Sequence, residues 1–427
     1  MRSRRADRWI SLVLMRTVAG RVALASLALA AGVGAQQSPA PFAGQALVIA
    51  SDGDMLAQAY AGDPLGPPAR DALSILTFDG AARPRTITVP VPNSVIGPPA
   101  SVAVTPDGRQ AIVIETRGPR PARPAARLTD LPPGRVITVV DLDRASVIQR
   151  IAGRANPLSV SISPDGRLVA IAYDTAKAGG APLDLLDLAG GRLSGRRSPA
   201  VPGWRAGEAV KNAAFAPNGA LALVYATHPR LSLLRLTGGT LTRWGNDVSL
   251  GATPFEVRFT PDGRFALVND MSAGPRGTVT AIALADPHDA TPLHRITGKA
   301  RTGALPEGLA VSPDGRWVAT TNLERTAFAA RDPRQGRFAS VTLLRLDEAG
   351  RLTAISDTRF AGVIPESAAF DRSGRFLAVA VFDHLPPARS GGSLDLWRVA
   401  DGGRRALVPT GVSLPLPRGA HSMAVAR

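Results

Sequence analysis

The stretch Gly308-Leu309-Ala310-Val311-Ser312-Pro313-Asp314-Gly315-Arg316-Trp317-Val318-Ala319-Thr320 runs an apolar segment into a Pro-Asp-Gly turn and lets a second apolar segment leave it. Proline presets the backbone for the first turn position, aspartate bonds its own backbone, and glycine takes a positive φ without steric cost. Two β-rich segments flanking such a turn predict a hairpin. The same arrangement recurs before Pro106-Asp107-Gly108, Pro164-Asp165-Gly166, Pro217-Asn218-Gly219 and Pro261-Asp262-Gly263, and in degraded form before Arg372-Ser373-Gly374. Turn positions 107, 165, 218, 262, 314 and 373 lie 44 to 59 residues apart. Strand-built repeats of this length predict a β-propeller with one blade per repeat.

Six copies are complete, and a seventh is divided between the ends. Gly44-Gln45-Ala46-Leu47-Val48-Ile49-Ala50-Ser51-Asp52 matches the second strand of a blade, as in Gly166-Arg167-Leu168-Val169-Ala170-Ile171-Ala172-Tyr173-Asp174. Its first strand is supplied by Ser422-Met423-Ala424-Val425-Ala426-Arg427. The expected fold is therefore all-β: a seven-bladed propeller over 44–427, closed by terminal strands that share one blade. Ring closure removes exposed sheet edges. It also substitutes for disulfides, since the chain has no cysteine. The lack of cysteine equally excludes thiolate metal sites, cysteine nucleophiles and covalently attached haem.

Residues 1–35 read as an export signal. Arg2, Arg4, Arg5 and Arg8 make a basic start, Val22–Val33 is apolar, and Val33-Gly34-Ala35 offers small residues for cleavage before Gln36. Arg4-Arg5 hints at twin-arginine export, although Ala6-Asp7 is a poor continuation. Residues 36–43 read as a flexible lead. The mature protein is expected to be periplasmic or secreted, monomeric and without a membrane span.

The formal charge is +16, and of 50 basic residues only Lys177, Lys211 and Lys299 are lysines. The arginines are scattered, many directly after the turn glycine, rather than gathered in a patch with aromatic residues. Nucleic acid is not an expected partner. No Gly-x-Gly-x-x-Gly, Walker or Gly-x-Ser-x-Gly sequence occurs, so nothing supports nucleotide chemistry or an α/β-hydrolase triad. No cofactor or metal is expected.

A Pro before the first apolar run, Ser-Pro-Asp-Gly-Arg, a second apolar run and a strand ending in Asp resemble the YVTN-type propellers. They are also similar to the lactonase-fold propellers related to 6-phosphogluconolactonase. Asn156-Pro157-Leu158-Ser159-Val160-Ser161-Ile162-Ser163-Pro164-Asp165-Gly166 carries the pattern most fully. The resemblance covers 44–427 and implies the fold. The family it points to includes lactone hydrolases and binding proteins, and no catalytic set of that family matches here residue by residue.

In a propeller, residues opening each innermost strand ring one mouth of the central channel. These are Ala100, Leu158, Lys211, Phe255, Glu307, Glu366 and His421, with Glu256 one position further in. A third ring is Ala103, Ser161, Ala214, Arg258, Ala310, Ala369 and Ala424, small except for Arg258. Lys211, Glu256, Arg258, Glu307, Glu366 and His421 are therefore the candidate ligand-binding residues. Carboxylates beside His and Arg suit acid–base work with an arginine at an oxyanion. They equally suit a hydrated channel of paired charges. Second-strand ends add Glu115, Asp174, His228, Asp270, Asn322, Asp383 and His384 to the same face. Long connections at Asp52–Ala72, Arg117–Arg135 and Glu324–Ser340 are either functional or surface insertions. His288 and His294 are expected at the surface, and Trp204, Trp244, Trp317 and Trp397 in core or between blades. Two functions compete: a binding module of the cell envelope, holding a small molecule or an envelope protein, and a lactone-type hydrolase using the charged mouth.

Overall fold

The computed structural model describes residues 40–80, 84–123, 125–272, 274–329, 331–385, 390–400 and 406–426. The expected export signal lies outside them. Seven antiparallel sheets follow one another, each a blade of four strands, with a short fifth segment, Val248–Ser249, added to the fourth blade. Blade 1 has the order Ala420–Ala426, Gln45–Ser51, Ala72–Phe78, Arg85–Pro90. Ala46 pairs with Ala426 and Ile49 with Met423, so the two ends of the chain are zipped into one sheet as the sequence predicts.

The turns explain the hairpins atom by atom. At the first, Thr105 Oγ1 donates to Asp107 Oδ1 (2.5 Å), and the same Asp107 oxygen accepts from Arg109 N (3.1 Å). Gln110 N donates back to Thr105 Oγ1 (3.0 Å), and Gly108 takes φ 73°. The set repeats around Asp165, Asp262 and Asp314. In the degraded copy the acid has moved: Asp371 accepts from Arg375 N and Phe376 N, which lets Ser373 stand at the usual aspartate position.

The apolar core is distributed between blades. Each of the seven blade interfaces holds one cluster of buried residues from facing sheets. Between blades 6 and 7, for example, Val341 and Leu343 meet Leu377, Val379 and Trp397, with Phe360 edge-on to Trp397 at 5.4 Å. Trp244 and Trp397 are fully buried and Trp204 and Trp317 pack half-buried against such clusters, as expected. Phe42, placed in the lead by sequence, is completely buried against Phe78. His294 corrects an expectation. It is buried rather than at the surface: Nε2 donates to Trp244 O (2.5 Å) and Nδ1 accepts from Ala285 N (3.1 Å). His288 is exposed, as expected.

An eighth apolar cluster belongs to no blade interface. Met55, Ala57, Ala59 and Leu65 of the first long connection meet Ala126 of the second and Leu323 beside the third. They pack with Val95 and with Val363, Ile364 and Phe382 of blade 7. The long connections therefore form a cap with its own core on the face where the innermost strands begin.

Candidate functional site

The innermost strands share a local defect at that face. Pairing slips by one residue between Pro157 and Ser159, Val210 and Asn212, Pro254 and Val257, Pro306 and Gly308, and Pro365 and Ser367. A β-bulge of this kind leaves its extra residue unpaired and re-aims the side chain. Leu158, Lys211, Glu307 and Glu366 are the residues so released, and Glu256 lies within the wider slip of blade 5. The approach is strained as well. Asn156, Leu305 and Ile364, each directly before the strand proline, adopt φ of 56°, 54° and 47°. Left-handed backbone in a residue preceding proline is unfavourable, and such strain gathers where a site must be shaped.

Three of the predicted carboxyls come together beneath the cap. Glu256 is buried; its Oε2 accepts from Leu309 N (3.1 Å), and Arg258 Nη2 lies 2.5 Å from its Oε1 as an ion pair, without a well-directed hydrogen bond. Burial pushes Glu256 up to about 7 against the opposing pull of Arg258. Glu307, also buried, is pushed up to about 8 by burial and by the charge of Glu256. Glu366 is completely buried. Its Oε1 accepts from Tyr60 Oη (3.1 Å), its Oε2 has no partner, and burial followed by the charge of Glu307 holds it well above the usual carboxylate range. Asp52, at the end of the second strand of blade 1, extends the cluster: it is buried, accepts from Val95 N, and is raised by burial and by Asp71.

Arg258 joins this group through Glu256, whereas His421 is held elsewhere. His421 is buried and pinned. Asn93 Nδ2 donates to the carbonyls of Ser51, Ala72 and Val91, which leaves Asn93 Oδ1 to accept from His421 Nε2 (2.8 Å). His421 Nδ1 then accepts from Ser422 Oγ (3.1 Å), which in turn meets Ser101 Oγ (2.9 Å). Burial lowers His421 to about 3, and its two ring nitrogens fasten the closing strand to Asn93 and Ser422. Lys211 is half-buried at the bulge of blade 4. Arg258 projects beyond the small ring, and its side chain is 41% exposed.

Several second-strand ends serve as loop fasteners. Asp383 pairs with Arg418 (3.1 Å), Asp270 accepts from Thr253 N, and Asn322 donates to Ser340 and Thr342. His228 binds Glu208, which is also gripped by both Nη atoms of Arg230. Among the described residues no three His, Asp or Glu side chains are spaced to hold a metal ion.

Beside the cap, the first two long connections enclose a cleft of about 1180 Å³. Its lining includes Asp52, Asp54, Asp71, Asn93 and Glu115 together with Arg70, Arg117, Arg120, Arg123 and Arg150. Asp71 accepts from Gly53 N (3.2 Å) and Asn93 N (3.3 Å), yet burial raises it to about 6. Arg117 donates to Asn156 Oδ1, and Arg120 reaches the carbonyl of Gly66 across the cleft. Sequence reasoning missed Asp71 and Tyr60, which lie inside connections without periodicity. It could have found Asp52, which holds the same second-strand end as Asp174, Asp270 and Asp383.

No family model and no curated protein matches the chain. Solved structures do. The periplasmic gluconolactonase of Pseudomonas aeruginosa aligns over 89% of this chain and 99% of its own at 17% identity, with a TM-score of 0.57. A 6-phosphogluconolactonase candidate from Bacteroides uniformis aligns over 89% and 99% at 15% identity, TM-score 0.60. The chain shares its propeller fold with these structures. A protein of unknown function from Desulfotomaculum acetoxidans is similar at 15% identity over 90% of this chain and 99% of its own, TM-score 0.58.

Proposed function

We propose that the chain is an exported propeller that binds a small anionic, hydroxyl-rich molecule in the cleft beside the cap. The observation that carries this reading is the cleft lining, which brings five arginines, four acids and Asn93 to one cavity. A guanidinium fork suits a carboxylate, and a carboxyl with a raised pKa donates to or accepts from a hydroxyl. A pocket of this size with convergent polar groups and shifted acids is the default binding site of a fold. Export is supported by the basic start and apolar run of residues 1–35. Among the described residues no helix is long and apolar enough to cross a membrane. A sugar acid or its lactone fits this chemistry, and the fold neighbour from Pseudomonas aeruginosa is described as a gluconolactonase of the periplasm.

A second reading, lactone hydrolysis, is favoured by Asp71. A carboxyl raised to about 6 is ionised at neutral pH yet basic enough to draw a proton from water, and the arginines stand ready for an oxyanion. Calorimetric titration with D-gluconate and D-glucono-lactone tests both. Binding that weakens about tenfold in Arg70→Ala supports the cleft. Lactone turnover abolished by Asp71→Asn with binding retained supports hydrolysis. Absence of heat with either compound, or affinity unchanged in Arg70→Ala, contradicts the binding reading.

A further inference from the structure

Met55 to Gly62 lies over the channel mouth, and how it is held there is unusual. Met55, Ala57 and Ala59 are buried in the apolar cluster of the cap. The short 3-10 turn Ala57–Ala61 carries Tyr60, whose hydroxyl reaches Glu366 Oε1 (3.1 Å) and lies 3.4 Å from Val95 O. Beneath this turn the groups facing Glu366 are Tyr60 from the cap, Asp52 from blade 1 and Glu307 from blade 6; Glu307 in turn faces Glu256 of blade 5. Asp52 is backed by Asp71 and Asp54. Among the described residues Arg258 makes an ion pair with this set, at its far end on Glu256. Glu256, Glu307, Glu366 and Asp52 are all buried, and Glu366 Oε2 has no donor. That guanidinium does not balance four ionised carboxylates at this depth, because a buried charge without a partner is strongly unfavourable. The closed arrangement therefore requires protons on the cluster.

We infer that Met55–Gly62 is a pH-operated lid: protonated carboxyls let it close over the channel mouth, and loss of those protons releases it. The sign follows from linkage. Acids raised by the closed state bind more protons there than when exposed, so closure is favoured at low pH and lost as pH rises through their closed-state values. The loss sets in above the ordinary carboxylate range and is complete for Glu256 and Glu307 at about 7 and about 8, with Glu366 above its usual range as well. The response is local because the lid belongs to no blade interface, and the seven interface clusters persist when it lifts. This inference does not depend on what the cleft binds.

Hydrogen–deuterium exchange of the full mature chain, corrected for intrinsic rates from about pH 6 to about pH 9, tests it. Protection of Leu56–Gly62 is expected to fall about tenfold across that range while Leu221–Tyr225, a buried strand of blade 4, stays flat. Glu366→Gln, a neutral isostere, should remove most of the fall, and Glu307→Gln provides the same readout if the first variant does not fold. Tyr60→Phe should lower protection at every pH and keep the trend. A flat profile in the wild-type protein overturns the lid. So does a fall of equal size in the foldable Gln variant, or one shared by Leu221–Tyr225.

Discussion

Arg258 illustrates how a residue acquires meaning from its neighbours. Six equivalent positions in the third ring are Ala or Ser, so packing there does not demand a long side chain. The guanidinium reaches the open channel on one side and the buried Glu256 on the other. Arg258→Met keeps the length and removes the charge. Glu256 then stays buried without its cation, and its proton affinity rises further. A destabilisation of about 1–3 kcal/mol is expected, reduced from a fully buried pair because Arg258 is partly exposed. The loss should grow with pH, since the raised acid favours the folded state only while protonated. Urea unfolding at about pH 5.5 and about pH 8.5 checks this. An unchanged midpoint, or a loss independent of pH, would show that the pair is not coupled to the titration of Glu256.

At the scale of elements, the hairpin turns and the bulges differ in how openly the sequence displays them. The turns are local. In four copies Ser or Thr, Pro, Asp and Gly lie within a few residues and the hydroxyl bonds the aspartate, and the copies at Asn218 and Ser373 are variants of the same turn. Asp165→Ala removes the acceptor for Ser163 Oγ and Arg167 N and should cost about 1 kcal/mol, measured as a small drop in Tm. Because Asp165 is held below the usual carboxylate range, first by Ser163, its contribution is present at neutral pH and fades as the solution is acidified. An equal effect of the variant at neutral and acid pH would contradict that role. The cap was not legible in the same way. Its apolar residues Met55, Leu65 and Ala126 are distant in sequence and set in connections without periodicity, and their partners Leu323 and Phe382 lie at the ends of blade strands. His294 was misread for the same reason, since its acceptor is a carbonyl 50 residues away. Glu307 and Glu366 lie at equivalent bulges because bulge and repeat share one register. His421 was assigned to the charged ring because its register matched, but Asn93, which captures it, lies in the connection between blades 1 and 2.

Over the whole molecule, closure of the ring and position of the site are linked. Ala420–Ala426 completes blade 1, and its His421 and Ser422 tie that blade to Asn93 and Ser101. Gly419, at φ 77°, lets Asp52 O approach to where a Cβ would sit 2.0 Å away, so the closing strand also sets the position of Asp52. Deleting residues 421–427 should leave an open ring that unfolds or aggregates; an unchanged Tm would refute closure. The cleft that the first two connections build over blades 1 and 2 is the account's central claim, and its acids make binding there detectable through protons. An anion seated beside Asp71 raises the proton affinity of a carboxyl already at about 6, so D-gluconate binding near neutral pH must take up protons. Calorimetry in two buffers of different ionisation enthalpy measures this uptake. The account predicts heats that differ between buffers for the wild-type protein and coincide for Asp71→Asn; heats identical in both buffers for the wild-type protein, or a difference that persists in Asp71→Asn, would contradict it.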